Sequence, residues 1–124
     1  MSDEKKLLFT EDHEWVRIDG DNAYIGITEH AQSELGDIIF IEFPAIGDEF
    51  TSNDVFGTIE AVKTVADLFM PVDSEVIEVN DDLDAEPEKI NTDPYNEGWI
   101  VKVKVKNIKN LTTLLSYDDY KKLI

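Results

Sequence analysis

Short β-rich runs separated by turn residues constrain the fold of this chain more than any other feature. The runs are rich in Val, Ile and Phe, and Gly, Pro, Asn or Asp bounds each of them. The predicted strands are 14–18, 23–27, 38–43, 55–62, 65–70, 75–79 and 99–105. Strands this short, joined by close turns, pack as a small antiparallel barrel or sandwich. We therefore predict a mostly β protein with short helices.

Two helices are predicted to accompany the strands, one early in the chain and one at its end. Thr28 provides a side-chain cap for a short helix over 28–35, and Gly36 is a typical residue just after a helix. Ser116 precedes Asp119 by three residues, the spacing of a capping box that begins the last helix. Neither helix is long enough to form a layer alone, so both are expected to pack against the sheets.

The chain of 124 residues is long enough for one domain with a core. No linker-like stretch divides it, so we predict a single domain over 1–124. Its 28 acidic and 11 basic residues give a formal net charge of -17. Such a surface repels phosphates and anionic lipids, which argues against nucleic-acid and membrane partners. The charge either steers the protein towards basic partner surfaces or simply keeps it soluble, and composition leaves both open.

Composition also bounds the location of the protein. No apolar run approaches the ~20 residues that cross a bilayer. The first nine residues are too short for a signal peptide and contain no arginine typical of a mitochondrial presequence. We therefore expect a cytoplasmic bacterial protein, or a processed chain of the mitochondrial matrix. The absence of cysteine excludes disulfides and thiolate metal sites.

One lysine stands in an unusual position between two predicted strands. Lys63 is flanked by Val62 and Thr64, and it is the only lysine or arginine between Arg17 and Lys89. A hairpin tip would hold its amine in solvent on rigid strands, where a modifying enzyme could reach it. An ordinary solvated lysine in a turn is the alternative, and composition alone favours it.

The sequence around this lysine resembles a known attachment site. The segment 60–64 is similar to the lipoyl-attachment hairpin of glycine cleavage system H proteins. Further motifs of that family follow in order at 13–16, 25–32, 35–38, 76–80, 91–95 and 98–99. The resemblance covers the chain from about residue 9 to residue 120. It implies the flattened β-barrel of lipoyl and biotinyl carriers, a barrel-sandwich hybrid with an early inserted helix and a C-terminal helix.

The resemblance implies a carrier and not an enzyme. In this family lipoic acid is joined covalently to the lysine, which is Lys63 here. The swinging arm takes the aminomethyl group of glycine from the pyridoxal-phosphate-dependent glycine decarboxylase (P protein) to the tetrahydrofolate-dependent aminomethyltransferase (T protein). Dihydrolipoamide dehydrogenase (L protein) then reoxidises the dithiol. These three enzymes and the lipoylating enzymes are the implied partners in glycine catabolism, and we expect a monomer.

The resemblance further implies a cleft that shelters the loaded arm. Acidic groups there hold the cationic amine by charge-assisted hydrogen bonds. Motif position assigns this role to Glu14 and Asp67. The alternatives are a solvated strand charge for Glu14 and an ordinary hairpin charge for Asp67. Without cysteine, the chain has no thiol of its own that could trap the dithiolane in a mixed disulfide.

Three positions depart from the usual family sequence. Ala61 stands where serine is more common. Asp73-Ser74 follows Pro71-Val72 where Ser-Gly is usual. Glycine permits a positive φ that aspartate tolerates less well and serine poorly, so we expect a turn of a different type.

An enzyme and a metal buffer are weaker interpretations. His13 and His30 lie among carboxylates and could act as general bases. The chain has no nucleophile elbow, phosphate loop or His-Glu-x-x-His motif, so we predict no catalytic residue. The acidic run 80–84 lacks the glycine and the glutamate that a calcium loop requires, so we predict no metal site.

Other carriers are the stronger alternatives. Biotin carriers usually place methionine on both sides of the lysine. Lipoyl domains of 2-oxoacid dehydrogenases usually have aspartate directly before it. Both fit less well than the H-protein family. Some H-like proteins relay lipoyl groups to 2-oxoacid dehydrogenase complexes, and the sequence does not separate that role from glycine cleavage.

Overall fold

A computed structural model describes residues 6–124. The first five residues of the predicted domain lie outside the described residues. They make up most of the stretch 1–9, which was considered above as a possible targeting signal. The strands are β1 (Leu8–Phe9), β2 (Glu14–Asp19), β3 (Asn22–Ile27), β4 (Ile38–Glu42), β5 (Glu49–Phe50), β6 (Val55–Ala61), β7 (Val65–Phe69), β8 (Ser74–Val79) and β9 (Val101–Val105). The helices are α1 (Glu29–Leu35), α2 (Asp82–Ala85), α3 (Lys89–Thr92), a 3₁₀ helix (Ile108–Thr113) and α4 (Tyr117–Leu123).

The strands form two antiparallel sheets. The larger sheet has the order β1-β2-β3-β9-β8-β5, and the smaller has the order β4-β6-β7. Their buried faces share one core, in which Val16, Ile25 and Val101 of the larger sheet lie with Ile41 and Ile59 of the smaller one. Strand pairing within residues 6–124 does not close the sheets into a barrel. The predicted mostly β fold with two flanking helices is confirmed, as a flattened barrel-sandwich.

A close approach of backbone to an aromatic ring fixes the pairing of β2 with β3. Trp15 lies opposite Gly26 in the ladder and is fully buried. A Cβ on Gly26 would lie 2.6 Å from Trp15 Cζ2, so only glycine leaves room for the indole. The indole Nε1 donates a hydrogen bond to the carbonyl of Pro94 at 2.9 Å. The two motifs at 13–16 and 25–32 thus meet at this contact.

Helix α1 begins and ends at the predicted residues. The Thr28 hydroxyl accepts a hydrogen bond from the N–H of Ala31 at 3.2 Å. Gly36 ends the helix with a φ of 82°, which favours glycine. Asn91 then ties this end to the smaller sheet: its Nδ2 donates to the Gly36 carbonyl at 2.9 Å, and its Oδ1 accepts from the N–H of Ile38 at 3.0 Å.

Helix α4 packs against strand β1. Ser116 caps the helix by accepting from the N–H of Asp119 at 3.2 Å, as predicted. Tyr120 is buried and stacks on Phe9 with ring centroids 4.7 Å apart. No helix in the described part of the chain has the length and apolar character that crossing a bilayer requires.

Candidate functional site

The hairpin of β6 and β7 places Lys63 at its tip. Glu60 pairs with Val65, which leaves residues 62–64 as the connection. The N–H of Ala61 donates to the carbonyl of Thr64 at 2.8 Å and closes the turn. The tip is therefore held by the ladder of its own strands.

A second hydrogen bond fixes the tip to the neighbouring segment. The N–H of Val62 donates to the carbonyl of Asp37 at 3.0 Å, just before β4 begins. Lys63 itself is exposed and forms no ion pair with any residue in 6–124. Its side chain passes over Gly36: a Cβ there would lie 3.4 Å from Lys63 Cε. The amine is thus exposed and without an ion pair, on a hairpin tip held by backbone hydrogen bonds.

Exposed apolar side chains surround this tip. Val62 and Val65 are 69% and 62% exposed. Ile39 and Phe40 of the adjacent strand β4 are also exposed, at 51% and 52%. We call these four side chains the apolar collar. A surface of this kind marks an interaction site more often than a plain solvated face.

The sequence predicts no part of the collar, and for Ile39 and Phe40 a β-bulge explains why. The pairing of β4 with β6 shifts register between Ile38 and Phe40. Alternation would bury one of two successive residues, but the bulge turns both Ile39 and Phe40 outward while Ile38 and Ile41 stay buried. The run of four β-formers at 38–41 carries no signal for such a shift.

A cleft of about 170 Å³ lies between helix α1, the β6–β7 hairpin and residues 12–14. Its walls are largely apolar and include Ile27, Leu35 and Leu68. Glu14 and Asp67 also line it. The structure therefore brings together the two acidic residues that motif position singled out, next to the strand that begins two residues after Lys63.

Glu14 is a buried carboxylate. The side chain is 2% exposed, so the alternative of a solvated charge is wrong for this residue. Its Oε1 accepts a hydrogen bond from the Thr10 hydroxyl at 2.8 Å, and its Oε2 accepts one from the N–H of Phe69 at 3.2 Å. Burial raises the pKa of the Glu14 carboxyl from 4.5 to about 8.

The Glu14 carboxyl has no cationic partner within residues 6–124, where no lysine, arginine or histidine pairs with it. A buried carboxylate in this state is unfavourable unless a cation or a proton neutralises it. An amine entering the cleft would supply the missing charge. Asp67 differs, because it lies exposed on β7 opposite Thr58, at the rim of the cleft.

Known proteins match this sequence over nearly its whole length. The sequence profile described as glycine cleavage H-protein matches residues 7–124. The glycine cleavage system H protein of Bacteroides fragilis is 47% identical over 124 residues, which is 100% of this chain and 98% of that protein. The glycine cleavage system H protein of Prosthecochloris aestuarii is 52% identical over 120 residues, covering 95% and 94% of the two chains.

A solved structure agrees as well. The crystal structure of a glycine cleavage system H protein from Mycobacterium marinum superimposes with a TM-score of 0.88 at 33% identity, covering 95% of each chain. Profile, sequence relatives and fold therefore coincide on the same residues. This chain belongs to the glycine cleavage H-protein family.

Proposed function

We propose that this protein is a non-catalytic lipoyl carrier of the glycine cleavage system, with lipoic acid joined to Lys63 by an amide bond. It shuttles the aminomethyl group of glycine from the glycine decarboxylase to the tetrahydrofolate-dependent aminomethyltransferase. Dihydrolipoamide dehydrogenase then restores the disulfide. Membership of the family supports the carrier role.

One observation carries the proposal further than the family name does. A buried carboxylate without a cationic partner, Glu14, lies in a cleft beside the strand that leads away from Lys63. A protein that only displayed a modified lysine would have no use for such a group. A protein that shelters a cationic adduct requires it.

In this proposal the hairpin is rigid and the modified side chain is long and mobile. The hydrogen bonds of Ala61 and Val62 fix the tip, so a lipoylating enzyme meets one amine in a defined position. The long modified side chain remains mobile. A group tethered in this way has a high effective concentration at each partner's active site, provided that the arm spans the gap.

The length of β7, which borders the cleft, suits an arm that folds back along it. The four steps from Val65 to Phe69 span about 13 Å at ~3.3 Å per residue. Lysine extended by the eight-carbon chain of lipoic acid has a reach of this order. The lipoyl group supplies the disulfide sulfur that receives the aminomethyl unit. Glu14 and Asp67 would accept hydrogen bonds from the cationic amine of that unit, and the apolar walls would exclude water.

The apolar collar provides the contact surface for partner enzymes in this proposal. It lies on the hairpin tip that carries Lys63 and on the adjacent strand β4, so a partner that binds it also receives the arm. The net charge of -17 favours partners with basic rims, which would speed encounter without adding much affinity.

Intact-mass measurement after expression with lipoic acid tests the attachment site. We expect one lipoyl adduct on the wild type, one on the Lys104→Arg control and none on Lys63→Arg. Lys104 is an exposed lysine on β9, remote in sequence from the hairpin. An adduct that survives in Lys63→Arg would overturn the assignment.

A reconstituted reaction tests the glycine cleavage role. The lipoylated protein, mixed with glycine decarboxylase and aminomethyltransferase, should support glycine-dependent ammonia release. Lipoylation without any such activity would favour the alternative relay to 2-oxoacid dehydrogenase complexes.

A further inference from the structure

Two histidines and a glutamate converge where helix α1 meets the segment before β2. The rings of His13 and His30 have centroids 4.7 Å apart, and His30 Nε2 lies 3.1 Å from a carboxylate oxygen of Glu34. One ligand atom from each of the three side chains lies within 4.8 Å of the others. We propose that His13, His30 and Glu34 bind a divalent transition-metal ion of the Zn²⁺ class.

The donor set selects the class of ion. Two imidazoles and one carboxylate are the protein ligands of many zinc sites in which water or another group takes the fourth position. Imidazole also suits Cu²⁺ and Ni²⁺, whereas Ca²⁺ and Mg²⁺ prefer sites made entirely of oxygen ligands. The cluster is therefore expected to discriminate strongly against Mg²⁺.

His13 is held in place from both its backbone and its ring. Its φ of 68° lies in the left-handed region, which a residue with a side chain adopts rarely. Two backbone hydrogen bonds stabilise this conformation: the N–H of His13 donates to the carbonyl of Thr10 at 3.2 Å, and the N–H of Thr28 donates to the carbonyl of His13 at 3.0 Å. The imidazole is thereby directed at helix α1.

The ring of His13 has the outer support that metal-binding histidines normally have. Its Nδ1 lies 2.8 Å from the hydroxyl of Tyr120, which in turn lies 2.8 Å from the buried Thr28 hydroxyl. With Nδ1 donating to Tyr120, the lone pair of Nε2 is left for an ion. A hydrogen bond of this kind fixes both the tautomer and the orientation of a ligand histidine.

The other two ligands come from one face of α1. His30 and Glu34 are four residues apart, which places them one above the other on the helix. Ligand atoms in a tetrahedral zinc site lie about 3.4 Å apart, given bonds near 2.1 Å. The His30–Glu34 distance of 3.1 Å already meets this, and both side chains have room to rotate towards His13 because they are partly or largely exposed.

This site is separate from the lipoyl attachment but borders the same cleft. His13 and Glu34 line the cleft that also contains Glu14. A bound cation would add positive charge at its rim. The proposal does not rest on lipoylation, so it can be tested on the unmodified chain.

A Zn²⁺ titration of the untagged, unlipoylated full chain tests the site directly. The sequence contains two histidines, so imidazole ¹⁵N NMR reports each one separately. We expect His13 Nε2 and a His30 nitrogen to shift together and to saturate at one Zn²⁺ per chain. Mg²⁺ at the same concentration should leave both unchanged.

Two variants of α1 separate a built site from general acidic attraction. Glu34→Gln should weaken Zn²⁺ binding at least about tenfold. Glu29→Gln removes the same charge from the same helix outside the cluster and should bind as the wild type does. His30→Gln should abolish the coordinated shift of His13. A shift of His30 alone, or equal weakening by the two glutamate variants, would overturn the proposal.

Discussion

The backbone N–H of Phe69 donates a hydrogen bond to the carboxylate of Glu14. This contact joins the last residue of β7 to the first residue of β2. It therefore couples the strand that starts near Lys63 to the buried acid at the far end of the cleft.

Replacing Glu14 with glutamine should destabilise the loaded carrier without preventing its formation. Glutamine preserves the size of the side chain but loses the charge that would bind the cationic amine. A hydrogen bond to a charged group contributes about 1.5–3 kcal/mol, so the aminomethyl form should release ammonia about tenfold faster or more. Lipoylation, followed by intact mass, should be unchanged. Glu11→Gln, an exposed neighbour, serves as the control, and equal ammonia release from the two variants would count against the cleft role.

Glu14 should also give the stability of the unmodified protein a distinctive pH dependence. The pKa of this carboxyl is about 8 in the folded protein against 4.5 as its usual value, so folding takes up a proton between these limits. The stabilisation that comes from protonating Glu14 in the folded state is fully present below pH 4.5. It is lost as the pH rises through about 8. The free energy of unfolding should therefore fall across this window.

Urea denaturation at several pH values checks this slope. Glutamine at this position cannot ionise. The free energy of unfolding of Glu14→Gln should therefore rise relative to that of the wild type as the pH increases across the window. Glu11→Gln should keep the wild-type slope. Parallel pH profiles for the wild type and Glu14→Gln would show that the pKa of the buried carboxyl is not raised.

Asn91→Ala should destabilise the protein by about 2 kcal/mol. The side chain of Asn91 forms hydrogen bonds with Ile38, Gly36 and Gln32, and its loss leaves partly buried polar groups unpaired. Denaturant unfolding measures the change, with the exposed Asn96→Ala as the control.

The same variant should also slow lipoylation. Asn91 orders the segment between α1 and β4. In that segment, the carbonyl of Asp37 accepts a hydrogen bond from the N–H of Val62 at the hairpin tip. A less ordered tip presents the amine less consistently. Unchanged lipoylation kinetics in a destabilised Asn91→Ala would show that the tip is ordered by its own strands alone.

The apolar collar should contribute to partner binding and little to folding. Phe40→Ser removes an exposed ring beside Lys63 and should raise the KM of the glycine decarboxylase reaction for the carrier about fivefold, equivalent to about 1 kcal/mol. Ile108→Ser is the matched control, because Ile108 is 74% exposed and lies in the 3₁₀ helix. Equal KM values for the two variants would exclude Phe40 from the contact.

Local signals in the sequence predicted much of the architecture. The caps at Thr28 and Ser116 follow from side-chain oxygens that satisfy the first N–H groups of a helix. The hairpin around Lys63 follows from β-branched runs on both sides. These features depend on residues close together in the chain, which is why a single sequence contains them.

Features that depend on distant residues could not be predicted in this way. The burial of Glu14 results from the packing of β7 and Thr10 around it, and no local pattern distinguishes it from a solvated strand acid. The convergence of His13 with His30 requires the left-handed backbone at His13. The strands β1 and β5 have two residues each and are too short to show a period.

The departure at Asp73-Ser74 has a structural account. Within 6–124, the residues other than glycine with a positive φ are His13 and Asn53, so neither Asp73 nor Ser74 needs the freedom of glycine. Asp73 Oδ1 accepts from the N–H of Ser52 at 2.8 Å, and the buried Ser74 hydroxyl donates to the carbonyl of Val72 at 3.1 Å. The side chains stabilise the turn that they occupy.

The solitary position of Lys63 has a thermodynamic consequence. Its ammonium pairs with no acid in residues 6–124, so converting it to an amide breaks no ion pair and leaves no carboxylate without its partner. The bare and acylated forms should melt at nearly the same temperature. The chain can therefore reach its folded state before any group is attached to this lysine.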